Sequence, residues 1–478
     1  MSKRIKLGLA PTRRFVFSVE DAHKYKKLVE DKLREWEVDF VNIDGINEEG
    51  LLFGRGDADR AIELFKREKV DAVFAPHVNF GTEEIVAQVA KAVGKPFLLW
   101  GPRDESPLPD GHRLRDTQCG LFATSNVLKK YGVPFSYIVN SRIDSPEFER
   151  GFKTFMGAAR AATHFLGARI GQIGTRPGNF YTVIVNEQEL LARWGIEMAP
   201  VDMTFIEKNV LALLKNDPRV NDVAESIRSR IALRQIDADT LRRIAALKLV
   251  LKDWAEAENL TSIAFKCHVD LQRALGVYPC FINGELATDI GVPVTCETDV
   301  HGAITAALLH YASDTTDPVF FADLTVRHPT NDNAELLWHC GNFPYALAEK
   351  DQEEPFLGTH FVIPPHMPGT GNFRLKKGDV TIARFDGMNG KYSLFMGHGK
   401  GVDGPHNLGT YLWVEVPDWP LWEQRLIEGP YIHHVAATYD KVAPVLYEAT
   451  KFIPGLEPDP VQPTEQEIKA YLRGSGRL

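Results

Sequence analysis

Short apolar runs recur along the N-terminal third of the chain, and most are followed by a stretch of helical periodicity. The runs are Arg4–Ala10, Val38–Asp44, Asp71–Pro76, Pro96–Trp100 and Phe135–Val139. Helices are expected over 19–36, 57–67, 83–93 and 146–166. This alternation constrains the fold more than any other feature. A strand, a crossover helix and a second strand make a βαβ unit, and consecutive units build a parallel sheet with helices on its faces. The pattern restarts at Ala168–Gly174, which runs into Thr175-Arg176-Pro177-Gly178. That loop lacks the Gly-x-Gly-x-x-Gly spacing, and Pro177 removes a backbone donor, so it is not read as a dinucleotide cradle. A long amphipathic helix is expected over 239–259, with strands at 262–265, 292–295, 319–322 and 336–339.

Glycines then begin to punctuate the chain. The segments 372–376, 379–385, 391–396 and 410–416 alternate like half-buried antiparallel strands. The expected fold class is therefore α/β. Two Rossmann- or flavodoxin-like parallel-sheet domains, 1–165 and 166–348, precede a small antiparallel β-barrel-like domain, 349–478. A last helix is expected over 434–452. Gly397-His398-Gly399-Lys400-Gly401 is read as a hairpin loop rather than a phosphate cradle, because it sits between antiparallel strands instead of before a helix.

The charge balance, 55 Lys+Arg against 64 Asp+Glu, argues against a nucleic-acid partner, which favours a basic face. No apolar stretch is long enough for a membrane span or a signal peptide, so a cytoplasmic protein is expected. Of 15 histidines, 11 lie from His268 to His434. Four of the five cysteines lie from Cys267 to Cys340, without a Cys-x-x-Cys pair, and are expected to pack as small hydrophobes.

Three polar residues end expected strands of the second domain: Glu297, Asp323 and His339. Ligands of open parallel sheets bind outside the carboxyl ends of the strands, so these side chains are expected to converge there. Glu297 also precedes a helix beginning near Asp299, whose dipole favours an ionised carboxylate. Two carboxylates and an imidazole suit a hard divalent cation such as Mn²⁺. The adjacent pair His433-His434 is a further candidate, since neighbouring side chains cannot share one face.

Cys296-Glu297-Thr298-Asp299-Val300-His301-Gly302-Ala303, with Ala322-Asp323, His339-Cys340-Gly341-Asn342 and His433-His434, resembles the L-fucose/L-arabinose isomerase superfamily, and fucose isomerase-like members in particular. The resemblance extends to Asn186–Ile196 and to Gly8-Leu9-Ala10-Pro11-Thr12-Arg13-Arg14. It implies a metal-dependent aldose–ketose isomerase acting on a pentose, a 6-deoxyhexose or a 6-substituted hexose such as a sulfosugar, through a cis-enediolate. It implies a cation, Mn²⁺ or else Co²⁺ or Mg²⁺, held by Glu297, Asp323, His339 and His434. Glu297, Asp323 and His433 become the acid–base and proton-shuttle candidates. Arg13, Arg14, His301 and Asn342 become the substrate-binding candidates. The family's arginine turn lies near the active site of a neighbouring subunit, which implies a homo-oligomer, trimer or hexamer, with shared sites. Two other readings stand beside this one: a non-catalytic sugar-binding protein and a metallohydrolase on the same scaffold.

Overall fold

The N-terminal strands form a five-stranded parallel sheet in the order Phe40–Val41, Leu7–Leu9, Ala72–Pro76, Phe97–Trp100, Ser136–Tyr137. The structure is a computed structural model that describes residues 4–352 and 354–478. The sheet strands are apolar because helices cover them: Val73, Ala75, Phe97 and Leu99 pack with Phe65, Val86 and Val89 of the crossover helices. The helices Val19–Glu35, Arg55–Arg67, Glu83–Val93 and Pro146–Phe165 lie where the periodicity places them. A further helix, Thr117–Lys130, carries too weak an apolar stripe to be singled out from the sequence.

Two compact units are formed. One comprises His164–Leu446 with Gly455–Thr464. The other comprises the residues up to Thr163 with Tyr447–Pro454 and Glu465–Leu478. The first of these contains a second parallel sheet, ordered Val294–Thr295, Ser262–Phe265, Arg169–Ile173, Glu197–Val201. It also contains a closed barrel. Around that barrel run Phe320–His328, Asn331–His339, Thr410–Glu415, Lys391–Val402, Asp379–Met388 and His434–Thr438, each antiparallel to the next, and the last pairs with the first. The α/β class with two parallel sheets and an antiparallel barrel thus stands as the sequence implies.

Three local expectations are corrected. The runs at 319–322 and 336–339 do not extend the parallel sheet. Both strands continue through the intervening polar residues and meet at Pro329-Thr330 as a hairpin. A parallel crossover needs a dozen or more residues, so two strands joined this tightly must be antiparallel. Next, His434–Thr438 is not the start of a helix. All five residues are buried in a barrel strand that bonds Phe320–Asp323 on one side and Thr381–Ala383 on the other, and the helix begins only at Ala443. Tertiary pairing here outweighs local helical character. Finally, Gly397–Gly401 lies inside the Lys391–Val402 strand rather than in a loop. A Cβ on Gly397 would meet the Trp422 ring at 2.3 Å, so the glycine marks close packing of the barrel wall on the helix Trp419–Glu428.

Candidate active site

Glu297 follows the Val294–Thr295 strand and sits at a left-handed φ of 53°, with Thr298 beside it at 58°. Two successive non-glycine residues in this conformation are costly, and such strain collects where a side chain must be aimed. The Thr298 N–H donates to Phe265 O, and Asp299 N–H donates to Cys296 O, which fixes the turn. Asp299 then caps the helix Val300–Ala312 by accepting from Gly302 N–H. A Cβ at Gly302 would come within 2.6 Å of Asp299 Oδ2, so a side chain there would push the cap away.

Asp323 and His434 face each other across the strand pair Phe320–His328 and His434–Thr438. His339 ends the adjoining barrel strand. The parallel sheet and the barrel wall together therefore gather four of the expected residues. His339 Nε2 is 3.7 Å from Glu297 Oε2 and 4.0 Å from Asp323 Oδ1. His434 Nε2 is 4.0 Å from Glu297 Oε2 and 3.5 Å from Asp323 Oδ1. Glu297 Oε2, Asp323 Oδ1 and His339 Nε2 are buried polar atoms with no hydrogen-bond partner. Groups left so are expensive unless something else satisfies them, and carboxylate and imidazole atoms converging at this range suit a divalent cation and the oxygens of a ligand. His433 is exposed, and with Asp323 and His434 it offers ligand atoms within 4.8 Å of one another.

The electrostatics agree with this geometry. Burial alone would raise the Glu297 carboxyl, but the His339 imidazole 3.7 Å away, with His434 and His268 beyond it, holds it well below its usual range. Burial opposes protonation of His339 and His434. Asp323 and Glu297 outweigh it for His339, and Asp299, Asp323 and Glu297 outweigh it for His434, so both imidazoles are pushed upward. His433 goes the other way, lowered by burial and by the neighbouring His434 charge.

The remaining expected residues are placed elsewhere or on other partners. His301 is buried, with Nδ1 2.8 Å from Asp386 Oδ1. Asn342 donates from Nδ2 to Cys296 Sγ at 3.4 Å, and its Oδ1 has no partner. Arg13 and Arg14 belong to the N-terminal unit. Arg13 makes two 2.6 Å bonds to Glu49 and lies over Phe53, while Arg14 pairs with Glu83 and lies over Phe80. Cys267 and Cys296 pack with Phe321, although Cys267 Sγ also approaches Glu297 Oε1 at 3.8 Å and the two thiols form a possible ligand group with that carboxylate.

Sequence reasoning missed the groups behind the site. His434 Nδ1 lies 2.9 Å from Asp299 Oδ2. Asp299 is paired with Arg384, which also bonds Asp386 at 2.9 Å, and Asp386 meets His301. The available signal was Arg384 within the mostly apolar run Val380–Phe385 and Asp386 directly after it, since charges are almost never fully buried unless paired.

The profile of the fucose/sulfoquinovose isomerase N-terminal domain matches residues 8–165. The sulfoquinovose isomerases of Priestia aryabhattai and Priestia megaterium are each 27% identical to this chain over 399 residues, covering 82% of it and 86% of theirs. That of Alkalicoccus urumqiensis is 26% identical, covering 79% and 83%. A solute-binding protein from Actinobacillus succinogenes, solved with D-allose, has a TM-score of 0.16 at 11% identity, covering 64% of this chain and 92% of its own, and at that level carries no argument.

Proposed function

We propose that this chain, which is similar over residues 8–165 to the fucose/sulfoquinovose isomerase N-terminal domain and at 27% identity to sulfoquinovose isomerases, is a member of the L-fucose/L-arabinose isomerase superfamily and a divalent-cation-dependent aldose–ketose isomerase acting on a sulfosugar. The observation that carries the reading is the set of buried, unpartnered acceptor and donor atoms on Glu297, Asp323 and His339, with His434 facing the same gap. The residues fit a cation: Glu297, Asp323 and His434 would hold it, with His339 beside them. A bound Mn²⁺, Co²⁺ or Mg²⁺ would supply Lewis-acid polarisation of the sugar carbonyl.

The chain's own groups do the rest. Isomerisation moves a proton between two neighbouring carbons, which needs a base that is ionised at neutral pH and held within reach of both. Glu297 meets the first condition because the surrounding imidazoles stabilise its carboxylate. Asp323, on the opposite wall of the gap, is the second acid–base group. His433, exposed beside Asp323 and His434, is the proton-shuttle group that exchanges protons with solvent. Arg13 and Arg14 are proposed to meet the anionic end of a sugar bound in a neighbouring subunit of a homo-oligomer, because a planar guanidinium matches a sulfonate with paired donors.

The test is turnover of an aldose panel that includes sulfoquinovose and neutral hexoses, with Mn²⁺ present, followed by ketose formation. Preferential conversion of the sulfosugar is expected. Cation binding without conversion of any aldose would overturn the reading in favour of another reaction. Run in deuterated water, the same assay separates the routes: deuterium appears in the product for an enediolate, and full retention of the carbon-bound hydrogen points to a hydride shift.

A further inference from the structure

The N-terminal unit holds a cavity of about 620 Å³ that the isomerase reading does not use. One wall is the helix Thr117–Lys130. Its Gln118, Phe122, Ser125 and Lys129 fall at i, i+4, i+7 and i+11, so they share one face and line the cavity together. The other face of the helix, with Thr117, Gly120, Thr124 and Leu128, is buried. A Cβ on Gly120 would come within 1.7 Å of Phe80 O, so the helix is held tightly on that side. The opposite wall is the edge strand Ser136–Tyr137 and its flanks, where Phe135 and Tyr137 line the cavity at the strand period.

Arg103 follows the neighbouring strand Phe97–Trp100 at its carboxyl end, the end at which parallel sheets take ligands. Its backbone N–H donates to Ser141 O at 2.9 Å. Asn140 Nδ2 donates to Gly101 O at 2.9 Å and to Thr117 Oγ1 at 3.0 Å, which ties the ends of both strands to the start of the helix. This end of the cavity is therefore formed in advance, and a ligand does not bear the cost of ordering it. The acids next to Arg103 in sequence are already engaged. The buried Arg115 pairs with Asp104 at 3.3 Å and with Glu105, and Tyr25 Oη donates to Glu105 at 2.8 Å. Among the described residues no carboxylate lines the cavity, and neither Arg103 nor Lys129 makes an ion pair. A hollow edged by unpaired cations and no acid attracts an anion. Phe122 and Tyr137, 66% and 57% exposed, offer ring faces to an apolar body.

We propose that this cavity is a second small-molecule site, for an organic anion with a planar apolar body. The Arg103 guanidinium takes the acidic head, a carboxylate, sulfonate or phosphate, through its paired donors. The body lies against Phe122 and Tyr137. The volume is within the range that small ligands occupy. A neutral sugar fits worse, because a ring of hydroxyls needs many polar partners. Ser125 Oγ is spent on Phe122 O at 3.0 Å, and Asn140 Nδ2 on Gly101 and Thr117. Lys129, about 16 Å along the helix from Gln118, adds positive field at the far end without reaching the same head group. None of these residues enters the isomerase reading, so the two stand or fall separately.

The experiment titrates the full-length protein with two probes. One is 8-anilinonaphthalene-1-sulfonate, a planar aromatic sulfonate that fluoresces in apolar surroundings. The other is N-phenyl-1-naphthylamine, the same ring system without the sulfonate. Wild type is expected to bind one sulfonate probe per chain. Arg103→Ala should weaken that probe by about tenfold and leave the neutral one within about twofold. Phe122→Ser should weaken both by about tenfold, since both rings lose the same stacking surface. Arg103 and Phe122 are exposed, and the melting temperature of each variant identifies damage that is merely structural; Tyr137→Ser replaces Phe122→Ser if the latter does not fold. Arg13→Ala, at the other arginine site of this unit, should leave both affinities unchanged. Arg103→Ala that weakens neither probe, or both alike, overturns the proposal, and so does loss of the sulfonate probe in Arg13→Ala. Wild type that binds no sulfonate probe also overturns it, and is the result expected if a second copy or another protein covers the cavity.

Discussion

Glu297 combines strain, burial and an unpartnered oxygen, so its replacement should be felt in chemistry before stability. Glu297→Gln keeps the shape and removes the charge. A base lost from proton transfer typically lowers the rate by about 10²–10⁴-fold, and that fall in kcat is expected in the sulfosugar assay, together with weaker Mn²⁺ binding. A variant with wild-type kcat would remove Glu297 from the reaction. Glu335 makes a different prediction, because it lies away from these groups. Burial raises its carboxyl, opposed by Arg327 and helped by Glu423, to about 7, and its Oε2 has no partner. The folded protein therefore holds this proton up to a higher pH than the unfolded chain, whose carboxyl titrates near the ordinary 4.5. Between those values the native state binds more protons, so stability falls as pH rises and the penalty is complete above about 7. Glu335→Gln should melt higher than wild type at pH 8 and lose that advantage near pH 4.5. Parallel melting curves across the range would contradict the raised carboxyl.

Elements divide into those whose neighbours in sequence decide them and those decided by partners far away. The N-terminal βαβ units were legible because each strand and crossover helix is local and the apolar period announces them. Glu297, Asp323, His339 and His434 were legible as candidates because their residue types and the surrounding motif are unusual. Their setting was not. Phe320–His328 and Asn331–His339 carry polar residues such as Arg327, Asn331 and Asp332 midway, which hid a continuous hairpin. His434–Thr438 reads as helical until the strands on either side are known. Asp299, Arg384 and Asp386 escaped because a buried ion chain has no sequence period. The glycine-rich stretch 397–401 misled for the same reason: its spacing fits a loop, while its packing partner Trp422 lies on a later helix. Gly397→Val tests that explanation. The new side chain would strike the Trp422 ring and Val461 Cγ1, at 2.3 Å and 2.8 Å from its Cβ alone. Overpacking of this kind costs about 1–3 kcal/mol, to be seen as a lower denaturant midpoint with an unchanged slope. An unchanged midpoint would return the segment to a tolerant surface loop.

At the scale of the whole molecule, the proposed function has two sets of groups act on one sugar, and they belong to different compact units. Glu297, Asp323, His339 and His434 lie in the unit of His164–Leu446, and Arg13 and Arg14 in the unit of the N-terminal residues. The proposed shared-site oligomer would supply the arginines from a neighbour, and that arrangement makes a prediction that no single-chain site makes. Arg13→Ala leaves the carboxylates intact, and Glu297→Gln leaves the arginine turn intact. Each variant alone should be poor on the sulfosugar, and Arg13→Ala should lose less on a neutral aldose, which offers no sulfonate to the guanidinium. Co-expressed, the two form mixed rings. In a closed symmetric ring each site joins one chain's carboxylates to the next chain's turn, so random mixing makes about one site in four intact on both sides. Activity near a quarter of wild type should return in the mixture and should need mixed assembly, vanishing when the separately purified variants are combined without exchange. If each chain built its whole site alone, every site would carry one lesion, mixing would restore nothing, and the arginine turn would have to act within its own chain or not at all.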